Sequence, residues 1–284
     1  MQWGRLDPLS SVVVCMNRKK LMAAIRALTI PCHDNGIRFT EAGRVVCIET
    51  RLSGSCYTPL IAPPLARVFR HTDFSAACPY LLVSCHVDSI YEKHWCARAD
   101  PEIHGTLDNS ACNAVALQAM MDNRLHVQTV VSFTGNEEYD SLGAHQTIEG
   151  LQERGLWDSL GMAIVLDLTE ECYGSPFTVE NLFVQTDHGA TAQLKFRTKK
   201  ELKRHVRGIL GACPVIPDGD PDESWEYDEH RINCFSYCLP CRLLADDMHD
   251  DQGVAIEVKS LLKYADGLVM LSHAIGHAMS QPST

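Results

Sequence analysis

Between residues 80 and 168, apolar runs rich in β-branched side chains alternate with stretches of helical periodicity, and this alternation most limits the folds open to the chain. The apolar runs cover 80–85, 126–133 and 162–168, and the intervening segments 109–122 and 142–154 space their apolar residues as helices do. A strand that is apolar at nearly every position is covered on both faces, which calls for parallel strands joined by crossover helices. The pattern predicts an α/β fold, a three-layer αβα sandwich around a mixed, mostly parallel central sheet. At 284 residues and 45% hydrophobic content, one domain over 1–284 is enough to bury the core. Residues 1–76 are expected to add an N-terminal helix and short strands packed on it. There, 16–28 reads as an amphipathic helix, Asn35-Gly36 as a turn between strands 37–39 and 44–49, and 65–71 as helical. Beyond 168, strands are expected within 178–196, a basic-faced helix over 199–210 and a long helix over 259–279. The acidic, Pro- and Gly-containing stretch 214–228 reads as a mobile loop near a site.

A net charge of −11 argues against nucleic acid as the main partner, because phosphate contacts need a basic face. The first residues lack the basic-then-apolar order of a secretory signal, and no uninterrupted apolar stretch is long enough to cross a bilayer. A soluble, cytoplasmic protein without a membrane partner is the expectation. The 13 cysteines, odd in number and irregularly spaced, fit reduced thiols packed as small hydrophobes. Cys238 and Cys241, with Cys234 nearby, lack a second Cys or His pair at zinc-finger spacing.

The chemistry concentrates elsewhere. Glu137 and Glu138 stand side by side where the 126–133 run ends in a turn, and adjacent buried acids need a compensating positive charge, which a metal ion would supply. His86 and Asp88 follow the 80–85 run, Asp108 precedes the 109–122 helix, Asp167 ends the 162–168 run, and His249 lies in an acidic loop. In an open parallel sheet, the carboxyl ends of the strands meet at one edge, so residues far apart in sequence become neighbours. Taken singly, each has an ordinary reading. The glutamates suit a helix N-terminus, Asp108 suits an N-cap, and His86 with Asp88 suits a hydrogen-bonded loop pair.

Taken in order, His86-x-Asp88, Asp108-Asn109, Glu137-Glu138, Asp167 and His249 resemble the co-catalytic zinc aminopeptidase superfamily, which includes zinc exopeptidases, related deacylases and glutaminyl cyclases. The stretch Phe133-Thr134-Gly135-Asn136-Glu137-Glu138-Tyr139-Asp140-Ser141-Leu142-Gly143-Ala144 is similar to that family's base-and-ligand strand. The resemblance implies that His86 and Asp167 hold one ion, Glu138 and His249 the other, and that Asp108 bridges them. It implies that Asp88 orients His86 and that Glu137 is the general base. Two zinc ions per chain are implied, with cobalt or manganese able to use the same donors. The implied reaction is hydrolysis of an amide bond in a peptide or a small amide.

Asn109 stands where many relatives carry a second carboxylate, and Asn136 replaces a residue that is often acidic or small. The span from Asp167 to His249 is too short for the separate lid domain of the carboxypeptidase branch. A full ligand set favours two ions over the single zinc typical of glutaminyl cyclases. Asp222 and Glu223 are candidates to meet a substrate's free α-amino group; a solvated acidic loop is the plainer reading. Arg242 is a candidate for a substrate carboxylate or carbonyl, or equally for a surface ion pair. His188 is a candidate to approach substrate, and His273 and His277 share a helix face. An aminopeptidase leads; a deacylase or amidohydrolase on a small N-acyl compound, and a non-catalytic metal-binding relative, remain open.

Overall fold

The computed structural model describes residues 15–29, 41–186, 190, 194 and 196–280. Helices α1 (Arg18–Thr29) and α2 (Glu41–Leu52) come first, followed by strands β1 (Tyr57–Ile61), β2 (Ala66–His71) and β3 (Tyr80–His86). Next are β4 (Cys96–Ala99), β5 (Glu102–Gly105), α3 (Ser110–Met121), β6 (Thr129–Thr134), α4 (Glu137–Asp140), α5 (Leu142–Glu153) and β7 (Leu160–Thr169). The chain continues through β8 (Thr178–Phe183), α6 (Lys199–Leu210), β9 (Val215–Ile216), α7 (Ser224–Glu229), β10 (Cys234–Pro240), β11 (Arg242–Leu243), β12 (Val254–Glu257) and α8 (Val258–Ser280).

Eight strands form the main sheet in the order β1-β2-β6-β3-β7-β10-β8-β9. Its centre, β6-β3-β7-β10, is parallel, and antiparallel pairings flank it, so the expected mixed α/β architecture is present. The alternation of side chains explains the apolar runs. Leu81, Val83, Phe133, Met162 and Ile164 face a core shared with α1, α3 and α8, whereas Leu82, Val130, Ala163 and Val165 face the opposite core with α5 and α7. Both faces of the parallel strands are therefore dry.

Two N-terminal expectations fail. Residues 44–49 lie inside α2 rather than in a strand. Val45, Val46 and Ile48 mimic strand composition, but the buried positions are Arg44, Ile48 and Leu52, one helical turn apart each time. An arginine at the head of that stripe hides the helical period. Residues 66–71 form β2 rather than a helix, because Val68 and Phe69 pair between β1 and β6, and tertiary pairing overrides a weak local preference. The stretch 214–228 is packed rather than a free loop: Asn181 Nδ2 donates to the Asp220 carbonyl, Gly219 N donates to Asn181 Oδ1, and Glu223 and Ser224 are fully buried. The turn at Asn35-Gly36, the strand 37–39 and His188 lie outside the described residues.

Topology brings the candidate site residues to one place. From β3 the chain crosses through α3 to β6 on one side, then returns through α5 to β7 on the other side of β3. The crevice at such a reversal, beyond the strand ends, is where ligands bind in open α/β sheets. His86 ends β3 at that point. A second, antiparallel sheet, β11-β12-β5-β4, brings in the loops of the remaining two candidate residues, since β5 leads to Asp108 and His249 lies between β11 and β12. Val254 of β12 pairs with Gly105 of β5. The preceding Gly253, at φ +71°, passes so close that an added Cβ would lie 2.1 Å from the Gly105 carbonyl oxygen. The two loops are thereby held side by side.

Candidate metal centre

Each side chain of the cluster is aimed by local backbone. Glu137 and Glu138 begin a short helical turn after Asn136, which adopts the left-handed conformation at φ 63°. Successive residues in such a turn diverge by about 100°. Glu137 accordingly faces His86, with Oε2 at 4.0 Å from Nε2, while Glu138 Oε2 lies 3.3 Å from His249 Nε2. The first turn of α3 ties the two neighbouring strand ends together: Asn113 Nδ2 donates to the His86 carbonyl, and Asn109 Nδ2 donates to the Leu166 carbonyl, both at 2.7 Å. The N-cap of α3 is Asn109 and not Asp108, which leaves the Asp108 carboxylate turned towards the cluster.

Asp108 divides its two oxygens between two groups. Oδ1 lies 3.4 Å from His86 Nε2, which is also 3.4 Å from Asp167 Oδ1. Oδ2 lies 3.3 Å from His249 Nε2, the same nitrogen that faces Glu138. His86 with Asp108 and Asp167, and Asp108 with Glu138 and His249, form two donor triplets sharing one carboxylate. Donors set tetrahedrally about 2.0–2.2 Å from an ion stand about 3.3–3.6 Å apart, so these spacings suit coordination. Asp108 Oδ1 and Glu138 Oε1 are buried without a hydrogen-bond partner, a costly condition that a cation relieves. On the far side of His86, Asp88 Oδ1 is 3.4 Å from Nδ1, and Asp88 Oδ2 accepts the Glu138 amide at 3.1 Å. The donor set fits divalent metal binding.

The electrostatics report the same crowding of acids. Burial pushes the Glu137 carboxyl up to about 9, with the charges of Asp167, Glu223 and Asp108 adding to it and His86 opposing. Burial likewise raises Asp167 and Glu223, each to about 7. The hydrogen bond to Asp108 lifts His249 to about 9, and the surrounding acids lift His86 despite its burial. Burial also opposes ionisation of Asp108 and Asp88, yet their histidine contacts hold both below the ordinary carboxylate value.

A pH dependence follows. The raised acids and the raised histidines contribute stability that is complete below their ordinary values of 3.8–4.5 and 6.5 and is lost as pH rises through the raised ones. Asp108 and Asp88 act oppositely, but only as pH falls through and below 3.8. Metal-stripped protein is expected to melt at progressively lower temperature from about pH 5 to about pH 9, and added zinc to reverse that loss near neutrality. Melting curves in chelator and in zinc across this range check it; a metal-free melting temperature that climbs with pH contradicts it.

A cavity of about 380 Å³ opens over the cluster, with Tyr139, Glu170, Glu180, Asp220, Asp222 and Met248 in its wall. Asp222 is thus at the cavity, its carboxylate accepting from the amide and hydroxyl of Ser224. Glu223 is not in the wall; fully buried beneath it, Glu223 accepts a 2.7 Å hydrogen bond from Ser84. Arg242 is not among the residues lining the cavity; it makes a 3.0 Å ion pair with Glu102 and lies over the Tyr173 ring. Glu180 and Asp220 gave no sequence signal, since neither belongs to a spaced motif. Asn113 stands one turn after Asn109, a spacing that becomes informative once the helix is known.

The model of peptidase family M28 matches residues 71–204, which carry every clustered residue except His249. That match spans 134 of the 284 residues and supports the resemblance to the zinc-dependent exopeptidase superfamily. The chain is a hydrolase, a metal-dependent peptidase. No curated protein matches it. Among solved structures, the peptidase is similar to aminopeptidase APDkam598 from the archaeon Desulfurococcus kamchatkensis, with a TM-score of 0.66 at 10% identity over 90% of this chain and 95% of that one. It is similar to aminopeptidase PepT from Bacillus cereus, with a TM-score of 0.64 at 10% identity over 92% and 99%. It is also similar to the LapA aminopeptidase of Legionella pneumophila, with a TM-score of 0.61 at 10% identity over 94% and 72%. At such identities these likenesses speak for the fold. No helix of the peptidase among its described residues is long and apolar enough to cross a membrane.

Proposed function

We propose that the peptidase removes N-terminal residues from peptides, using two zinc ions held by His86, Asp167, Asp108, Glu138 and His249, with Glu137 as general base. The observation that carries this reading is the division of the Asp108 carboxylate between two separate His–acid pairs. Cobalt and manganese accept the same donors. Two bound divalent ions supply an acidified water near neutral pH and polarise the scissile carbonyl.

The protein's own groups do the rest. Asp88 Oδ1 stands 3.4 Å from His86 Nδ1, a placement that favours the tautomer presenting Nε2 to the cluster. Glu137 borders the cavity, its Oε2 4.0 Å from His86 Nε2. With divalent cations bound, its ionised form would be favoured against the burial that raises it, and that carboxylate would take a proton from water and deliver it to the leaving amine nitrogen. Asp222, in a wall whose described residues include no Lys or Arg, offers a negative charge to a free α-amino group. An acid-lined cavity attracts such a cation and repels an acidic substrate.

Paired peptides with free and N-acetylated termini test the reading: hydrolysis of the free peptides with the acetylated ones untouched is expected. Activity confined to the blocked peptides makes the protein a deacylase-type amidohydrolase instead. Free thiols throughout the described residues support a reducing, cytoplasmic setting.

A further inference from the structure

Arg44 lies beneath the cluster, outside the segment matched to the peptidase family, and is fully buried. Its Nε donates to the Leu28 carbonyl at 3.1 Å, in the last turn of α1. Its Nη1 donates to the carbonyls of Val87 at 3.0 Å and Asp88 at 3.1 Å, and Nη1 and Nη2 reach the Asp108 carbonyl at 3.5 and 3.4 Å. One planar fork thus joins the loop that follows His86 to the peptide of the shared carboxylate. Burial lowers the guanidinium to about 10, with Asp108 and Asp88 opposing the shift, so it keeps its proton at neutral pH.

We propose that Arg44 is a positioning residue: it locks the His86–Asp88 loop and the Asp108 loop in register, so that their donors stand at coordination spacing before any ion binds. The inference rests on the two-metal reading above. Two physical points carry it. The two loops come from different sheets, and Arg44 supplies hydrogen bonds to both at the level of the backbone. The loops also carry acids that repel one another without metal, and a fixed cation against their carbonyls offsets that repulsion. A lysine cannot reproduce this, because its single ammonium lacks the rigid fork that spans three segments.

The test measures zinc affinity of the metal-free protein by competition with a chromophoric chelator, on folded samples verified by circular dichroism. Arg44→Met keeps the apolar stem and is expected to weaken zinc binding about 10–100-fold, the usual cost of losing a supporting partner, with Arg44→Lys in between. Excess zinc should restore kcat towards wild type, with KM for peptide unmoved. Ile48→Ala loosens the same helix without touching either loop, and should leave zinc affinity within about twofold if α2 acts only through Arg44. Should Arg44→Met not fold, Arg44→Lys decides alone: weaker zinc binding supports the role, and wild-type affinity overturns it. Equal loss in Ile48→Ala also overturns it, since general loosening then explains the effect. Variants that bind zinc as wild type does remove Arg44's role only, whereas a wild-type protein that takes up no zinc removes the two-metal reading and this inference with it.

Discussion

Glu137→Gln is expected to lower kcat about 10²–10⁴-fold, the usual contribution of a positioned base, while the protein still binds two zinc ions. The glutamine amide fills the same volume, and Glu137 belongs to neither triplet that shares Asp108, so those two sites are expected to survive. What disappears is a carboxylate bordering the cavity beside His86 Nε2. KM for peptide should change little, because the lost interaction belongs to proton transfer and not to substrate binding. Parallel measurement of steady-state rates and zinc content checks both halves. Turnover within tenfold of wild type would take the base role from Glu137, and lost zinc would make it a ligand.

Asp108→Asn is expected to have the second large effect, through the metal sites themselves. The carboxylate offers one oxygen to each donor group, whereas an amide has a single carbonyl oxygen and a nitrogen that donates. One group therefore loses its shared ligand and receives an N–H in its place. Zinc binding should weaken by more than about 100-fold, since loss of a mere supporting partner already costs about 10–100-fold. Bound zinc should fall from two ions per chain to one or fewer, and the melting temperature should lose most of its response to zinc. Equilibrium dialysis with metal analysis, beside melting curves, reads this out. Retention of two tightly held ions would refute Asp108 as the shared ligand.

The parallel core was legible because its strands are dry on both faces, so residues 80–85 and 162–168 announce themselves without knowledge of their neighbours. The cluster residues were legible for a related reason: acids and histidines at the ends of such runs are chemically conspicuous, and topology sends those ends to one edge. The helix α2 was misread because Arg44 occupies a buried position of its stripe, and no local rule anticipates a charged residue whose partners lie on loops 43–64 residues later. Strand β2 was misread because its identity comes from flanking strands, one of them formed by residues 129–134.

From composition and order alone, then, came the α/β architecture and the set of groups able to bind metal, since burial pattern and side-chain chemistry are properties of each segment. Distance and direction were decided only on folding. The splitting of the Asp108 oxygens, the withdrawal of Arg242 to the surface and the seating of Arg44 under two loops depend on how two separate sheets meet. Such relations are set by packing between distant segments, and no single segment contains them.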